Sequence, residues 1–139
     1  MILLDTNVIS EPWKPVADGA VVAWLDAQAI ETLFVSAITI AELRFGIAAM
    51  PSGKRQTILR ERLEDEVLPH FAERILPFDL AASQFYSELM ARSRVSGKAV
   101  SKADGYIAAT AVANGLAVAT RDISPFQAAG LKVINPWLP

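Results

Sequence analysis

The 139-residue chain predicts an α/β fold, a three-layer α/β/α sandwich around a four- or five-stranded, mainly parallel sheet. Three observations lead there. Short apolar runs recur along the chain, and segments whose apolar residues keep helical spacing separate them. Residues 102–114 are rich in Ala and almost uncharged after Asp104, as a buried helix would be. Gly and Pro fall between these segments, so the chain divides without a linker, repeat or low-complexity tract.

The first run, residues 1–4, ends at Asp5-Thr6-Asn7 and reads as a buried strand followed by a helix start. Pro12 and Pro15 interrupt the chain before a helix over 18–28, whose Val21, Trp24, Leu25 and Gln28 form one stripe. A second strand is expected over 33–36. Thr39 then opens a helix that runs to about Ala49 and closes at Pro51-Ser52-Gly53. Residues 54–68 are the most charged segment, with Leu59, Leu63 and Val67 spaced as on an amphipathic surface helix that Pro69 ends. A third strand near 74–78 leads to Asp79, the N-cap of a helix from Leu80 to about Arg94. Gly97 separates it from the 102–114 helix, Gly115 closes that one, and strands follow at 116–120 and 131–134.

A chain of this length, 53% hydrophobic, supports one well-covered core, so residues 1–139 are read as a single domain. Its apolar stretches all break before the roughly 18 to 20 residues that span a bilayer, so no membrane association is expected. The N-terminus lacks a basic n-region and meets a carboxylate at Asp5, a poor start for a signal peptide. The absence of cysteine excludes disulfides and thiolate metal sites and suits the cytoplasm.

Four acids stand where strands end or helices begin: Asp5, Glu42, Asp104 and Asp122. In a parallel α/β sheet those positions crowd around one crevice at the carboxyl edge. Capping accounts equally well for each acid taken alone. Thr39-Ile40-Ala41-Glu42 and Ser101-Lys102-Ala103-Asp104 both match the S/T-x-x-E/D box, and Asp5 and Asp122 suit local turns. Capping does not require all four at one edge, however. Four carboxylates in one cleft would repel, at about 3 kcal/mol for two charges about 5 Å apart at an effective dielectric near 20. A divalent cation offsets that repulsion. Oxygen donors without Cys or His favour Mg²⁺ or Mn²⁺, which suits phosphodiester hydrolysis.

The net charge of −2 argues against a DNA-coating surface, yet offsetting these four acids would turn it to +2. A nuclease then needs only a local basic rim. Lys54, Arg55, Arg60 and Arg62 form one cluster that reads as a solvated helix face, while Arg44, Lys98, Lys102 and Arg121 lie near the acids in sequence.

MILLDTNVISE, SAITIAELRFG, ADGYIAATA and VATRD, in this order and spacing, resemble the PIN-domain toxins of VapBC-type toxin-antitoxin pairs, and most closely their FitB-like branch. The resemblance covers essentially the whole chain. It implies a type II toxin that is a metal-dependent endoribonuclease, with Asp5, Glu42, Asp104 and Asp122 as its acidic tetrad and Mg²⁺ or Mn²⁺ as cofactor. It also implies RNA as substrate, a homodimer, and a ribbon-helix-helix antitoxin that carries the pair to operator DNA. The chain reads Thr120-Arg121-Asp122 where many such toxins have TRN, so the fourth acid rests on Asp122. Asp5 and Asp104 are expected to form the metal cradle, Glu42 to complete it or orient water, and Asp122 to assist. Thr6, Asn7 and Thr120 are candidate donors that orient those carboxylates; Thr6 and Asn7 serve equally as caps.

Other chemistries have less support. His70 lacks a second ligand nearby, the three tryptophans form no stacking tract, with Trp24 assigned to the core or a dimer contact, and Ser36 and Ser101 lack a paired base. A haloacid-dehalogenase-like phosphatase wants Asp-x-Asp, but the second position is Asn7. The non-enzyme alternative is a subunit of a DNA-bound repressor complex with little or no nuclease activity.

Overall fold

A computed structural model describes residues 1–138. Five parallel strands form one sheet in the order β3-β2-β1-β4-β5: β1 (Ile2–Leu4), β2 (Leu33–Ser36), β3 (Ile75–Leu76), β4 (Ala117–Ala119) and β5 (Val133–Ile134). Ile2 pairs with both Leu33 and Ala117, so the first strand of the chain is the middle of the sheet. Successive strands step to one side from β1 to β3, and β4 then returns to the other side of β1. The boundary between β1 and β4 is therefore the switch point, outside whose carboxyl ends open α/β sheets bind ligands.

The two sheet faces are covered by different helices. Leu4, Ala119, Leu33 and Val35 join Val8 of α1 (Thr6–Ser10), Val21 of α2 (Gly19–Ala27) and Ile40, Leu43 and Ile47 of α3 (Ala37–Ala48) in one core. Leu59 of α4 (Lys54–Glu61) and Leu63 beyond it close that side. Leu3 and Val118 instead meet Leu89 of α6 (Leu80–Ser96), Ile107, Ala108 and Ala111 of α7 (Lys102–Ala113) and Phe126 of α8 (Ser124–Ala128). Neighbouring residues of one strand thus serve opposite cores, which is the strand period of two. The three-layer, five-stranded, parallel arrangement is the one expected.

Local boundaries differ in three places. Helix α3 begins at Ala37, and its N-cap is Ser36, whose Oγ accepts from the Thr39 amide at 3.0 Å. Thr39 therefore lies inside the helix, and Glu42 is not the acid of a capping box. Pro69 does not end the charged helix: α4 passes into a π-helical stretch, Arg62–Val67, and a last turn, α5 (Leu68–His70). The Leu68 amide reaches back five residues to the Leu63 carbonyl, and this widening accommodates a proline that has no amide to donate. Helix α8 is also additional to the sequence expectation; Pro125 lies in its first turn, where its missing amide costs no helical bond.

Candidate active site

Asp5 follows β1 directly, and its amide still makes a sheet bond to the Ala119 carbonyl at 2.9 Å. The carboxylate is 5% exposed and both its oxygens are engaged. Oδ1 accepts from the Thr6 amide at 2.8 Å, which makes Asp5 the N-cap of α1. Oδ2 accepts from Thr120 Oγ1, also at 2.8 Å, across the β1/β4 boundary. Thr120, fully buried, in turn accepts from the Asp122 amide at 3.1 Å. One threonine hydroxyl thus fixes an Asp5 oxygen and the backbone that presents Asp122.

Thr6 performs the corresponding work on the other side. While its amide holds Asp5, its hydroxyl donates to Glu42 Oε1 at 2.7 Å. Behind it, Thr6 Oγ1 lies 3.3 Å from Thr39 Oγ1, and Ser36 Oγ donates to Thr39 Oγ1 at 3.2 Å. A line of hydroxyls therefore runs from the end of β2 to Glu42. Ser36 and Thr39 were missed as site residues because Ser36 reads as the end of a strand and Thr39 as the start of a helix. Their i,i+3 spacing at a strand-helix junction was the available signal.

Ser101 caps α7 by accepting from the Asp104 amide at 3.1 Å, and this places Asp104 in the first turn. The Arg121 amide approaches Asn7 Oδ1 at 3.5 Å, a long contact between the β4 exit and α1. Thr6, Asn7 and Thr120 accordingly all link segments that carry acids.

The electrostatics join the four acids. Burial raises the Asp5 carboxyl to about 6, against the lowering effect of its Thr120 and Thr6 hydrogen bonds, and the charges of Asp104 and Glu42 add to the rise. Burial also raises Asp104; its Ser101 contact opposes the rise, and the charges of Asp122 and Glu42 add to it. Among the described residues the ion pairs are Lys14 with Glu11 and Arg44 with Glu64, so no cation bridges to these acids. The repulsion is left standing.

That donor set fits a hard divalent cation. All the acids offer oxygen, and extra positive charge would relieve a strain that the fold otherwise carries. Among the described residues, no three acidic side chains stand close enough to grip an ion unaided. A cation held by these acids would take the rest of its ligands from water, which Mg²⁺ tolerates.

The remaining polar residues have structural partners. His70 Nδ1 contacts the Glu66 carbonyl at 2.5 Å, and Trp13, Trp24 and Trp137 pack against the first core. Glu11, which is buried, accepts from Lys14 Nζ at 2.9 Å and from the Asp18 amide at 3.1 Å. Those bonds, Lys14 first, hold its carboxyl below the usual range despite burial. Among the described residues no helix is long and apolar enough to cross a membrane.

Comparison with known proteins identifies the family and the fold. The PIN domain family model matches residues 2–131. The chain is 69% identical over 139 residues to the VapC ribonuclease Y4jK of Sinorhizobium fredii, covering 100% of this chain and 99% of that protein. It is 53% identical over 137 residues to toxin FitB of Neisseria gonorrhoeae, covering 99% of each. The solved structure of FitAB bound to an IR36 DNA fragment superposes with a TM-score of 0.94 at 50% identity, covering 99% of this chain and 96% of that one.

Proposed function

The chain belongs to the PIN-domain family, and on that premise we propose that it is the toxin of a VapBC-type toxin-antitoxin pair, an endoribonuclease dependent on Mg²⁺ or Mn²⁺. The observation that carries the reading is the convergence at the sheet switch point of Asp5, Glu42 and Asp122 through the hydrogen bonds of Thr6 and Thr120, with the charges of neighbouring acids adding to the rise at Asp5 and Asp104. Similarity to a protein named VapC ribonuclease and to one named toxin FitB supports the same activity.

When bound, a divalent cation supplies activation of water and neutralises charge on the phosphate. The chain's own residues prepare the cleft for it. Thr120 and the Thr6 amide lock both Asp5 oxygens, so this carboxylate meets its ligand without rotating. The Thr6 hydroxyl fixes one Glu42 oxygen and leaves the other to face solvent and an attacking water. Asp104 adds charge from the start of α7, and the Thr120 hydroxyl steadies the backbone from which Asp122 projects. Near neutral pH a part of the Asp5 population holds a proton, which leaves as positive charge enters the cleft.

The partners follow from the same reading: RNA as substrate, a second copy of the chain, and a ribbon-helix-helix antitoxin that brings the toxin to operator DNA. The FitAB complex on DNA supports that last assembly for a similar protein. It also keeps the alternative, a repressor subunit without nuclease activity, in view. Incubating the purified chain with RNA separates the two. Cleavage with Mg²⁺ or Mn²⁺ that stops in chelator and falls at least about 100-fold in Asp104→Asn supports the nuclease; undiminished cleavage by that variant overturns it.

A further inference from the structure

From Leu89 to Ala103 the chain carries four cations and no acid: Arg92, Arg94, Lys98 and Lys102. All four are exposed. None takes part in either ion pair found among the described residues. In a chain of net charge −2, this is an unneutralised local excess. Helix electrostatics explains only part of it. Arg94 lies in the last turn of α6, where the macrodipole favours a cation. Lys102 is the first residue of α7, the end at which aligned amides repel one. Its placement is unfavourable for the helix, by about 0.3–1 kcal/mol, and calls for another reason.

The location supplies that reason. The 98–100 loop and the start of α8 enclose an open cavity of about 540 Å³, lined by Lys98, Val100, Ser124 and Gln127 among others. Both walls lie close in sequence to acids of the cleft. Asp104 lies four residues after Val100, Asp122 lies two before Ser124, and the charge of Asp122 adds to the rise at Asp104. Lys98 lines this cavity and, with Arg94, a second one on the other side of the 98–100 loop, while Lys102 lies two residues before Asp104, so the cations sit along the chain that leads to the Asp104–Asp122 side of the cleft.

Resting on the nuclease reading above, we propose that this groove and its rim of Arg94, Lys98 and Lys102 hold the phosphates of single-stranded RNA next to the scissile one. Lys98 and Lys102 meet the backbone at the groove, Arg94 meets it farther out, and Ser124 and Gln127 offer hydrogen bonds to sugar or base edges. A single strand fits because the bond to be cut must reach a crevice whose innermost acid is 5% exposed. The basic rim also solves a problem created by the acids: it draws a polyanion toward a cleft that would otherwise repel it.

The test uses the full chain carrying Asp104→Asn, with a fluorescein-labelled mixed-sequence single-stranded RNA, and follows anisotropy across a salt series. Adding Arg94→Ala, Lys98→Ala and Lys102→Ala should weaken binding about 10-fold or more and lower the slope of log affinity against log salt by about 2. The same experiment with Arg60→Ala and Arg62→Ala, cations on α4 and just beyond it, should change affinity less than about 2-fold, circular dichroism having shown each variant folded. Unchanged affinity and slope in the triple variant overturn the proposal, as does a larger loss in the α4 pair or equally tight rim-dependent binding of duplex DNA. Restoring Asp104 separates the two claims. Loss of rim-dependent binding in a chain that still cleaves RNA would sink only the groove; binding through the rim by a chain that cleaves nothing would sink only the nuclease.

Discussion

Thr6 is the residue through which two of the acids are held at once, by its amide to Asp5 and its hydroxyl to Glu42. In sequence it offered two equal roles, cap and positioning donor, and the structure has it doing both. The cost of this arrangement is concentrated at Asp5. Its carboxyl titrates near 6 in the folded chain against an ordinary 3.8, so below the lower value both states are protonated and the residue carries no penalty. As pH rises through that window the unfolded chain releases the proton first, and the folded state loses about 3 kcal/mol by pH 7. In chelator, urea unfolding should therefore find Asp5→Asn more stable than the unaltered chain at about pH 7.5, with the gap closing toward about pH 4. Mg²⁺ should raise the stability of the unaltered chain and leave Asp5→Asn nearly unmoved. Parallel pH profiles for the two proteins would show that Asp5 is not strained.

At the scale of elements, strands and helices were legible wherever a local rule had no rival. Residues 33–36, the Asp18 and Asp79 caps and the glycine ends of α6 and α7 all follow from short-range chemistry. Errors arose where two rules competed. Thr39 and Ser36 both suit an N-cap, and the cap goes to the residue at which the extended strand stops. Pro69 signals a stop, but a π turn absorbs its missing amide. Close packing of α6 on α7 was invisible in sequence, because nothing local marks Gly105 as special. A Cβ at Gly105 would lie 2.8 Å from Met90 Sδ and 3.0 Å from Tyr86 Cε2. Met90 can swing away, but the Tyr86 ring is stacked on Tyr106 at 4.6 Å with Phe78 edge-on. Gly105→Ala should therefore destabilise the chain, since overpacking of about 1–3 kcal/mol exceeds the up to about 1 kcal/mol that alanine's helix propensity returns. A lowered urea midpoint, with RNA cleavage reduced because α7 carries Asp104, is the expected result; an unchanged midpoint would mean that both side chains repack freely.

For the whole molecule, the central fact is topological. A chain whose first strand becomes the middle of the sheet brings residue 5 beside residue 120, and the hydrogen bond between their side chains spans 115 residues. The acids themselves were legible, as carboxylates at strand ends and helix starts. Their mutual repulsion was anticipated too, but not that Asp5 and Asp104 bear it, because that depends on burial, which only the assembled fold defines. The hydroxyls that hold them were half legible: Thr6 and Thr120 border acids in sequence, whereas Ser36 and Thr39 reach the site only through packing of α1 on α3. The most direct measurement is the rate of RNA cleavage in Mn²⁺ by four single variants, Asp5→Asn, Glu42→Gln, Asp104→Asn and Asp122→Asn, each verified as folded. If the four acids act as one centre, Asp5→Asn, Glu42→Gln and Asp104→Asn each lose at least about 100-fold, with a smaller loss for Asp122→Asn. Cleavage at the unaltered rate by the Asp5 or Asp104 variant would contradict it.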